Sequence, residues 1–320
     1  MSFSGKIKEE LSNQSNKARH CQIAEIAAIV SICGTVLIRW NGKYSIRIHT
    51  ENIWVARKCF TLIQKAFNIN TEISIRRNQM KESAFYLLFI KKHEDAIRVL
   101  QATKLLDEEG EINEELSIVR NIVIQQVCCK RAFIRGAFLA AGSMSNPKKS
   151  YHFEIVCATI EKARQLRDVI NSFTMDAKIV LRKKSFIVYL KEGSQIVDIL
   201  NVMEAHKALM ELENIRILKD MRNTVNRKVN CETANISKTV SAAIKQVEDI
   251  TYIQNKIGFE GLSDGLEDMA LTRLTYPDAT LKELGELLTP SVGKSGVNHR
   301  LRKLSEIAEK LRENEEVHYD

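Results

Sequence analysis

Five polar side chains near the C-terminus have the chemistry needed to read the edges of DNA bases. They lie in the stretch ATLKELGELLTPSVGKSGVNHRLRKLSEIAEKL, residues 279–311, and are Lys294, Ser295, Asn298, His299 and Arg302. In the major groove, Asn pairs with adenine and Arg with guanine through two hydrogen bonds. Residues 289–304 contain four Lys or Arg and no acid. This composition favours DNA recognition over the alternative, a solvated basic helix in an ordinary α-hairpin.

Two short helices around a tight turn would position these side chains. The first helix is predicted to begin at Thr280, with Glu283 as its capping-box partner, and its apolar face contains Leu281, Leu284, Leu287 and Leu288. The second helix has a stripe with the spacing four, three, four, three, formed by Val297, Leu301, Leu304, Ala308 and Leu311. With a preceding helix near residues 266–274, the pattern predicts a helix-turn-helix motif at about 280–304.

Further basic residues are candidates for contacts with DNA phosphates. Residues 215–228 carry five Lys or Arg against one Asp, although simple solvation explains this segment equally well. The candidate set is Arg222, Arg227, Lys228, Arg300 and Lys303. A triplet at 182–184 falls on a predicted hairpin turn, where a solvated charge cluster is the commoner explanation.

Most of the chain before residue 215 reads as two similar halves. From Cys21 the hydrophobic periodicity predicts a helix, two strands joined at Asn41-Gly42, a helix, two strands and a helix. The same order returns from residue 127, where a turn at Asn146-Pro147 separates the first helix from the strand YHFEIVCA. Gly34 and Gly142 end the first helix of each half and lie 108 residues apart, which suits a duplicated subdomain. The predicted domains are 1–118, 119–214, a basic linker or helix at 215–228, and an all-α domain at 229–320.

The first helix of each half carries small residues on one face. They are Ala24, Ala28 and Ser31 in one helix and Ala132, Gly136 and Ala140 in the other. Small side chains let two helices approach closely, which accounts for Gly136 at mid-helix despite a cost of about 1 kcal/mol relative to Ala. The two halves are therefore predicted to pack through these helices.

The same helices resemble the signatures of the LAGLIDADG homing endonucleases. FIRGAFLAAG, residues 133–142, is similar to the second signature, and IAAIVSICG, residues 26–34, to a faded first one. The resemblance implies an α+β fold with duplicated α-ββ-α-ββ-α halves and a saddle of strands that faces DNA. In that family an acid precedes each closing Gly and binds the catalytic metal ions, but here those positions hold Cys33 and Ala141. A further acid position holds Leu139. Since Mg²⁺ needs anionic oxygen ligands, the sequence predicts a scaffold that does not cut DNA.

The order of the two modules resembles the WhiA family of Gram-positive bacteria. The resemblance extends from SFSGKIKEEL through FIRGAFLAAGSMSNP and NRKVNCETANISKT to LKELGELLTPSVGKSGVNHRLRKL. It implies a DNA-binding transcriptional regulator of cell division and chromosome segregation, or of sporulation in related lineages. Its expected partners are double-stranded DNA and other regulators or cell-division proteins. The sequence does not predict an oligomeric state.

Two alternatives remain open. The chain could be a LAGLIDADG-type metal-dependent nuclease or a maturase-like enzyme that uses another acid, such as Glu25. The N-terminal half could instead be a protein-interaction or ligand-sensing module, with DNA contact only through the helix-turn-helix.

Composition fits this interpretation. The net charge of +8 suits a protein that binds a polyanion. Hydrophobic residues make up 44% of the chain and charged residues 28%, which is ordinary for a globular protein. The N-terminus lacks a signal-peptide pattern, and the most apolar run, residues 23–38, contains Glu25 and is too short for a membrane span. A cytoplasmic, nucleoid-associated protein is expected. No nucleotide-binding or serine-esterase motif occurs.

The cysteines do not indicate a metal site. All seven lack CxxC spacing, and His20 beside Cys21 is the one His next to a soft ligand. Neither a metal nor another cofactor is expected. The cysteines are predicted to be reduced core residues, with a redox-active Cys128-Cys129 pair as the less favoured alternative.

Overall fold

The computed structural model describes residues 2–14, 17–40, 42–78, 83–106, 112 and 121–316. The chain divides into two compact units, Met1–Lys219 and Asp220–Asp320. The predicted boundary between residues 118 and 119 and the first residue of the Asn41-Gly42 turn lie outside the described residues.

In the first half of the first unit, the described residues form four helices and one four-stranded antiparallel sheet of order β1-β2-β4-β3. Its elements are α1 Phe3–Asn13, α2 Arg19–Cys33, β1 Gly34–Ile38, β2 Tyr44–Thr50, α3 Ile53–Phe67, β3 Glu72–Asn78, β4 Ser83–Ile90 and α4 His93–Ala102. From α2 onward this is the predicted α-ββ-α-ββ-α order.

The second half repeats the arrangement with the strand order β5-β6-β8-β7. After a 3₁₀ turn at Asn121–Ile124, its elements are α5 Val127–Ala141, β5 Gly142–Met144, β6 Phe153–Cys157, α6 Ile160–Asn171, β7 Lys178–Arg182, β8 Ser185–Leu190 and α7 Gly193–Val202. The sequence indicated only a turn between α5 and β6. In the structure β5 pairs with β6, with Gly142 opposite Ile155, so both sheets have four strands.

One face of each sheet is buried under helices. Alternate residues of β2 and β4 point into the core, among them Ile46, Ile48 and Leu88, each at most 1% exposed. In the second half the ring of Phe138 on α5 stacks on Phe153 of β6, with ring centroids 5.3 Å apart. The helices therefore cover one side of each sheet.

The two halves pack through α2 and α5, as the small residues predict. A Cβ atom at Gly136 would lie 2.4 Å from the carbonyl oxygen of Glu25 and 3.0 Å from the Cβ of Ala28. Any side chain at position 136 would push the helices apart, because the backbone of α2 occupies the space that its Cβ would need. The close approach explains a glycine in the middle of a helix.

The second unit is helical, as predicted. The helix α8, His206–Ile257, begins in the last residues of the first unit and is followed in the second by α9 Asp264–Thr275, α10 Leu281–Leu287 and α11 Lys294–Glu316. Residues 215–228 lie inside α8 and are helical throughout. None of the helices described here is long and apolar enough to cross a membrane.

Candidate nucleic-acid interface

The helix-turn-helix packs around the predicted apolar stripe. On α11, Val297, Leu301, Leu304 and Ala308 are at most 2% exposed. They form a core with residues of the three other helices and with Leu288, just after α10. The helical residues are Ile250, Ile253, Met269, Ala270 and Leu284. The last predicted member of the stripe, Leu311, is partly buried. The period of the stripe thus correctly identified the inward face of α11.

On α10 one prediction is wrong. Leu287 was expected on the buried face but is 47% exposed, whereas Leu288 is 5% exposed. The helix ends at Leu287, and Leu288 has an extended backbone with φ −80° and ψ 148°. The change in backbone direction points Leu288 into the core, so its neighbour faces solvent.

Local hydrogen bonds fix both ends of α10, through a capping box at its start and a backbone contact with the turn that follows it. The predicted capping box is present: the Glu283 N–H donates to Thr280 Oγ1 at 3.4 Å, and the Thr280 N–H donates to Glu283 Oε2 at 2.7 Å. These hydrogen bonds hold the pKa of Glu283 below its usual value. A Cβ at Gly285 would lie 2.0 Å from the Val292 carbonyl oxygen, and the Val292 N–H donates to the Gly285 carbonyl at 2.9 Å. Gly285 therefore lets the turn fold back onto α10.

Two buried polar residues, which the sequence analysis missed, connect the helices of this unit. Arg273 is 3% exposed and donates to the carbonyls of Pro277 and Ala279 at 3.2 and 2.7 Å, and to the side chain of Gln246 at 2.8 Å. Asp249 of α8 is 1% exposed and pairs with Arg312 of α11 at 2.8 Å. These contacts hold both α9 and α11 against α8.

The structure places all five candidate base-reading residues on the outside of α11. They are Lys294, Ser295, Asn298, His299 and Arg302, and each is exposed. Arg302 Nε donates to Glu306 at 3.2 Å, one helical turn further on. Asn298 also borders a cavity of about 580 Å³ whose other walls are α8 and residues 277–281. The helix therefore presents donors and acceptors on its solvent side, opposite the apolar stripe.

The candidate phosphate contacts differ in exposure. Arg222, Arg227 and Lys228 on α8 and Lys303 on α11 are exposed. Arg300 is partly buried because its guanidinium packs beside Gly265 of α9, where a Cβ would lie 3.3 Å from Cζ. Arg300 thus has a packing role within the unit that its sequence position did not indicate.

The positions that hold acids in LAGLIDADG enzymes carry no carboxylate here. Leu139 is fully buried and Ala141 is half-buried at the end of α5. Cys33, at the end of α2, donates to the Ile29 carbonyl at 3.2 Å, and burial raises the pKa of its thiol to about 12. At neutral pH Cys33 is therefore an uncharged thiol.

A cavity of about 870 Å³ lies at this end of the first half. Its lining includes Cys33, Gly34 and Ala140 together with Lys8, Arg47 and Arg76. Among the described residues that line it, Glu51 is the one carboxylate. A two-metal hydrolytic centre needs several anionic oxygens at one place. The residues of this cavity do not supply them, and its cations suit an anionic ligand better.

Glu25 does not face this cavity. Its carboxylate is completely buried in α2, 3.5 Å from Lys58 Nζ and 3.4 Å from Arg135 Nε. Arg135 is itself 2% exposed and also contacts Glu204 at 2.8 Å and Gln14 at 3.0 Å. Burial lowers the pKa of Lys58, while the Glu25 charge opposes that shift. Glu25 is thus part of an ion network in the core rather than a candidate catalytic acid.

The positive charge is concentrated in the first unit. Residues 1–219 contain 34 Lys or Arg against 23 Asp or Glu, a net charge of +11, and residues 220–320 contain 14 against 17, a net charge of −3. The basic surface of α11 is therefore a patch on a unit whose net charge is negative. Some of the excess in the first unit lies on the open face of the first sheet, where Arg76 is opposite Phe85 and His49 stacks on Phe85.

The expectation that all cysteines lie in the core is wrong for two of them. Cys128 and Cys231 are exposed, because one lies in the first turn of α5 and the other on an exposed part of α8. The side-chain ligand atoms of His20, Cys21, Cys128 and Cys129 lie within 4.8 Å of one another. Burial and the neighbouring thiols raise the pKa of Cys21 to about 12. No CxxC spacing marks this cluster in the sequence, because its two pairs come from helices that lie far apart along the chain.

The fold and the site define a two-module protein, in which a duplicated LAGLIDADG-like unit without the metal-binding acids precedes a helix-turn-helix unit. Comparison with protein families gives the same division. Residues 19–106 match the WhiA N-terminal LAGLIDADG-like domain, residues 130–222 the WhiA LAGLIDADG-like domain, and residues 225–308 the WhiA C-terminal HTH domain. The chain belongs to the WhiA family.

Among the proteins that match almost the full length are two relatives and one solved structure. The "Probable cell division protein WhiA" of Lachnoclostridium phytofermentans is 57% identical over 314 residues, which cover 98% of this chain and 100% of the relative. The protein of the same name from Alkaliphilus oremlandii is 51% identical, with 98% of each chain covered. The crystal structure of full-length DUF199/WhiA from Thermatoga maritima is 25% identical, with a TM-score of 0.58 over 97% of this chain and 99% of that one.

Proposed function

We propose that the chain is a sequence-specific DNA-binding protein that regulates transcription in connection with cell division and chromosome segregation, and that it does not catalyse a reaction. The observation that carries the proposal is the solvent face of α11, which holds five exposed candidate DNA contacts and has no acid between residues 289 and 304. The helix-turn-helix family match and the printed names of the relatives support it.

In the proposed complex the N-terminal half of α11 enters the major groove. Asn298 and Arg302 read base edges, Ser295 and His299 supply adaptable hydrogen bonds, and Lys294 and Lys303 contact phosphates. Arg302 must exchange its contact with Glu306 for one with a base. That exchange costs little, because a surface ion pair between exposed side chains contributes only about 0–1 kcal/mol.

A second contact through the first unit is part of the proposal. The net charge of +11 on residues 1–219 supports an additional, sequence-tolerant interaction with phosphates. Arg47, Arg76 and Lys8 around the 870 Å³ cavity are suitable donors. The competing function for this unit is a protein-interaction or ligand-sensing module, and the same cavity, with its cationic lining, is the observation that favours it. Bipartite binding to the chromosome would make the protein nucleoid-associated.

The substitutions Asn298→Ala and Arg302→Ala are each expected to weaken specific DNA binding by about 1–3 kcal/mol, roughly 5- to 150-fold, because each removes one paired hydrogen-bond contact with a base. Chromatin immunoprecipitation identifies the bound sites, and fluorescence anisotropy then measures affinity for one site and for a scrambled duplex. Circular dichroism should be unchanged, since both side chains are exposed.

Two further variants separate base reading from charge. Lys294→Ala should weaken binding to both duplexes alike and reduce the slope of log affinity against log salt by about one. Lys310→Ala removes an exposed charge later on α11 and should leave binding unchanged. If Asn298→Ala and Arg302→Ala both bind the specific duplex as the parent does, the assignment of α11 as the reading helix is wrong.

No cleavage of DNA is expected with Mg²⁺ or Mn²⁺. The positions of Cys33 and Ala141 provide no anionic oxygen, and Glu25 is engaged with Lys58 and Arg135. Supercoiled plasmid should remain supercoiled after long incubation with stoichiometric protein. Nicking that stops on chelation and elutes together with the protein through successive columns would instead support the nuclease alternative.

A further inference from the structure

The first turns of α2 and α5 bring together four soft metal ligands. His20 and Cys21 are the second and third residues of α2, and Cys128 and Cys129 are the second and third residues of α5. The two pairs are 108 residues apart, the same spacing as Gly34 and Gly142 at the other ends of these helices. The cluster therefore follows the internal duplication and lies at the opposite end of the helix pair from Cys33 and Ala141.

The distances within the cluster are close to those of a tetrahedral metal site. His20 Nδ1 lies 3.1 Å from Cys129 Sγ, 3.4 Å from Cys21 Sγ and 4.0 Å from Cys128 Sγ. Around Zn²⁺, with bonds of about 2.3 Å to sulfur and 2.0 Å to nitrogen, tetrahedral geometry separates the ligand atoms by about 3.5–3.8 Å. The three distances from His20 Nδ1 are within about 0.5 Å of these values. All four ligand atoms lie within 4.8 Å of one another, so shifts of up to about 1 Å would bring them to tetrahedral positions.

We propose that His20, Cys21, Cys128 and Cys129 form a Zn²⁺ site that joins the two halves of the first unit. Three thiolates and one imidazole are a ligand set of structural zinc sites, whereas Mg²⁺ and Ca²⁺ require oxygen ligands. On binding, each of the three thiols releases a proton to solvent, and His20 coordinates through the lone pair of Nδ1 with its remaining proton on Nε2. No change of oxidation state is involved.

The surroundings of the cluster suit a site with one net negative charge. Two helix N-termini meet there, and the partial positive charge of each favours thiolates. The N-cap residues of these helices, Ala18 and Gln126, make no side-chain capping hydrogen bond, so no cap side chain competes with the sulfur atoms for the backbone N–H groups of these first turns. Cys21 and Cys129 are buried, while His20 and Cys128 are exposed, which leaves a path for the ion to enter.

The experiment uses the full chain, purified with a thiol reductant and without chelator. Elemental analysis is expected to find about one zinc per chain, and replacement by Co²⁺ should produce the visible ligand-field bands of tetrahedral thiolate coordination. Cys128→Ser and His20→Ala should each lower zinc affinity by roughly tenfold or more in competition with a chromophoric chelator. Zinc should raise the melting temperature of the parent and do so less for these variants.

The control is Cys231→Ser, which removes an exposed cysteine on α8 and should leave zinc content and affinity unchanged. Because His20 and Cys128 are exposed, their variants are expected to fold, and circular dichroism verifies this. Zinc-free protein under reducing conditions would overturn the proposal. So would equal zinc affinity of the parent and the two variants, or a disulfide within the cluster in protein alkylated directly from cells. None of these outcomes bears on DNA binding by α11.

Discussion

Replacement of Arg135 by Met is expected to lower the free energy of unfolding of the first unit by about 3–5 kcal/mol, the range for breaking a buried ion pair from one side. The guanidinium contacts Glu25 at 3.4 Å and Glu204 at 2.8 Å. Without it, the fully buried carboxylate of Glu25 retains only Lys58, at 3.5 Å, in the network. Urea denaturation followed by circular dichroism measures the loss.

Two comparisons identify the cause. Arg164→Met changes the same residue type at an exposed position of α6 and should alter stability by less than about 0.5 kcal/mol. A triple variant with Glu25→Leu, Lys58→Met and Arg135→Met should recover most of the loss, because a buried ion network can be replaced by apolar side chains of similar volume at little cost. If Arg135→Met is as stable as Arg164→Met, the buried network does not stabilise the fold.

The substitution Leu301→Ala is expected to destabilise the second unit by about 2–5 kcal/mol. Leu301 is 2% exposed and lies in the core of this unit, where the described residues include ten buried hydrophobic side chains. A cavity in so small a core cannot be filled without movement of several helices. Hydrogen exchange of residues 264–316 should become faster, and DNA binding should fall together with folding.

The matched control is Leu287→Ala on α10. It removes the same atoms from a side chain that is 47% exposed and should cost less than about 1 kcal/mol. Asn298→Ala differs from Leu301→Ala, because it should reduce DNA binding and leave hydrogen exchange unchanged. Equal exchange rates in Leu301→Ala and Leu287→Ala would contradict the packing of α11 described above.

Local patterns predicted the elements of both units. Alternating residues marked β1 and β2, and the spacing of Val297, Leu301 and Leu304 marked the inner face of α11, because the repeat of a helix or strand is a property of neighbouring residues. The strand β5 was missed, since three residues are too few to display an alternation. Leu287 was misplaced because the end of α10 depends on the backbone of Leu288, which the hydrophobic pattern does not reveal.

Contacts between distant residues could not be predicted in the same way. The sequence shows Glu25 as an acid in an apolar run, and the structure shows Lys58 and Arg135 on either side of it. The basic character of the chain was visible as a net charge of +8, but its division into +11 and −3 required the boundary between the two compact units.

The sequence by itself determined the duplication, the helix-turn-helix, the identity of the residues on the outer face of α11, and the absence of acids at positions 33, 139 and 141. These features depend on residue type and local spacing. Only the tertiary structure decided that Glu25 is paired with Lys58 and Arg135 in the core, and that His20 and Cys21 lie against Cys128 and Cys129. The physical reason is the packing of α2 against α5, which the close approach at Gly136 permits and which brings residues 108 positions apart to within a few ångströms.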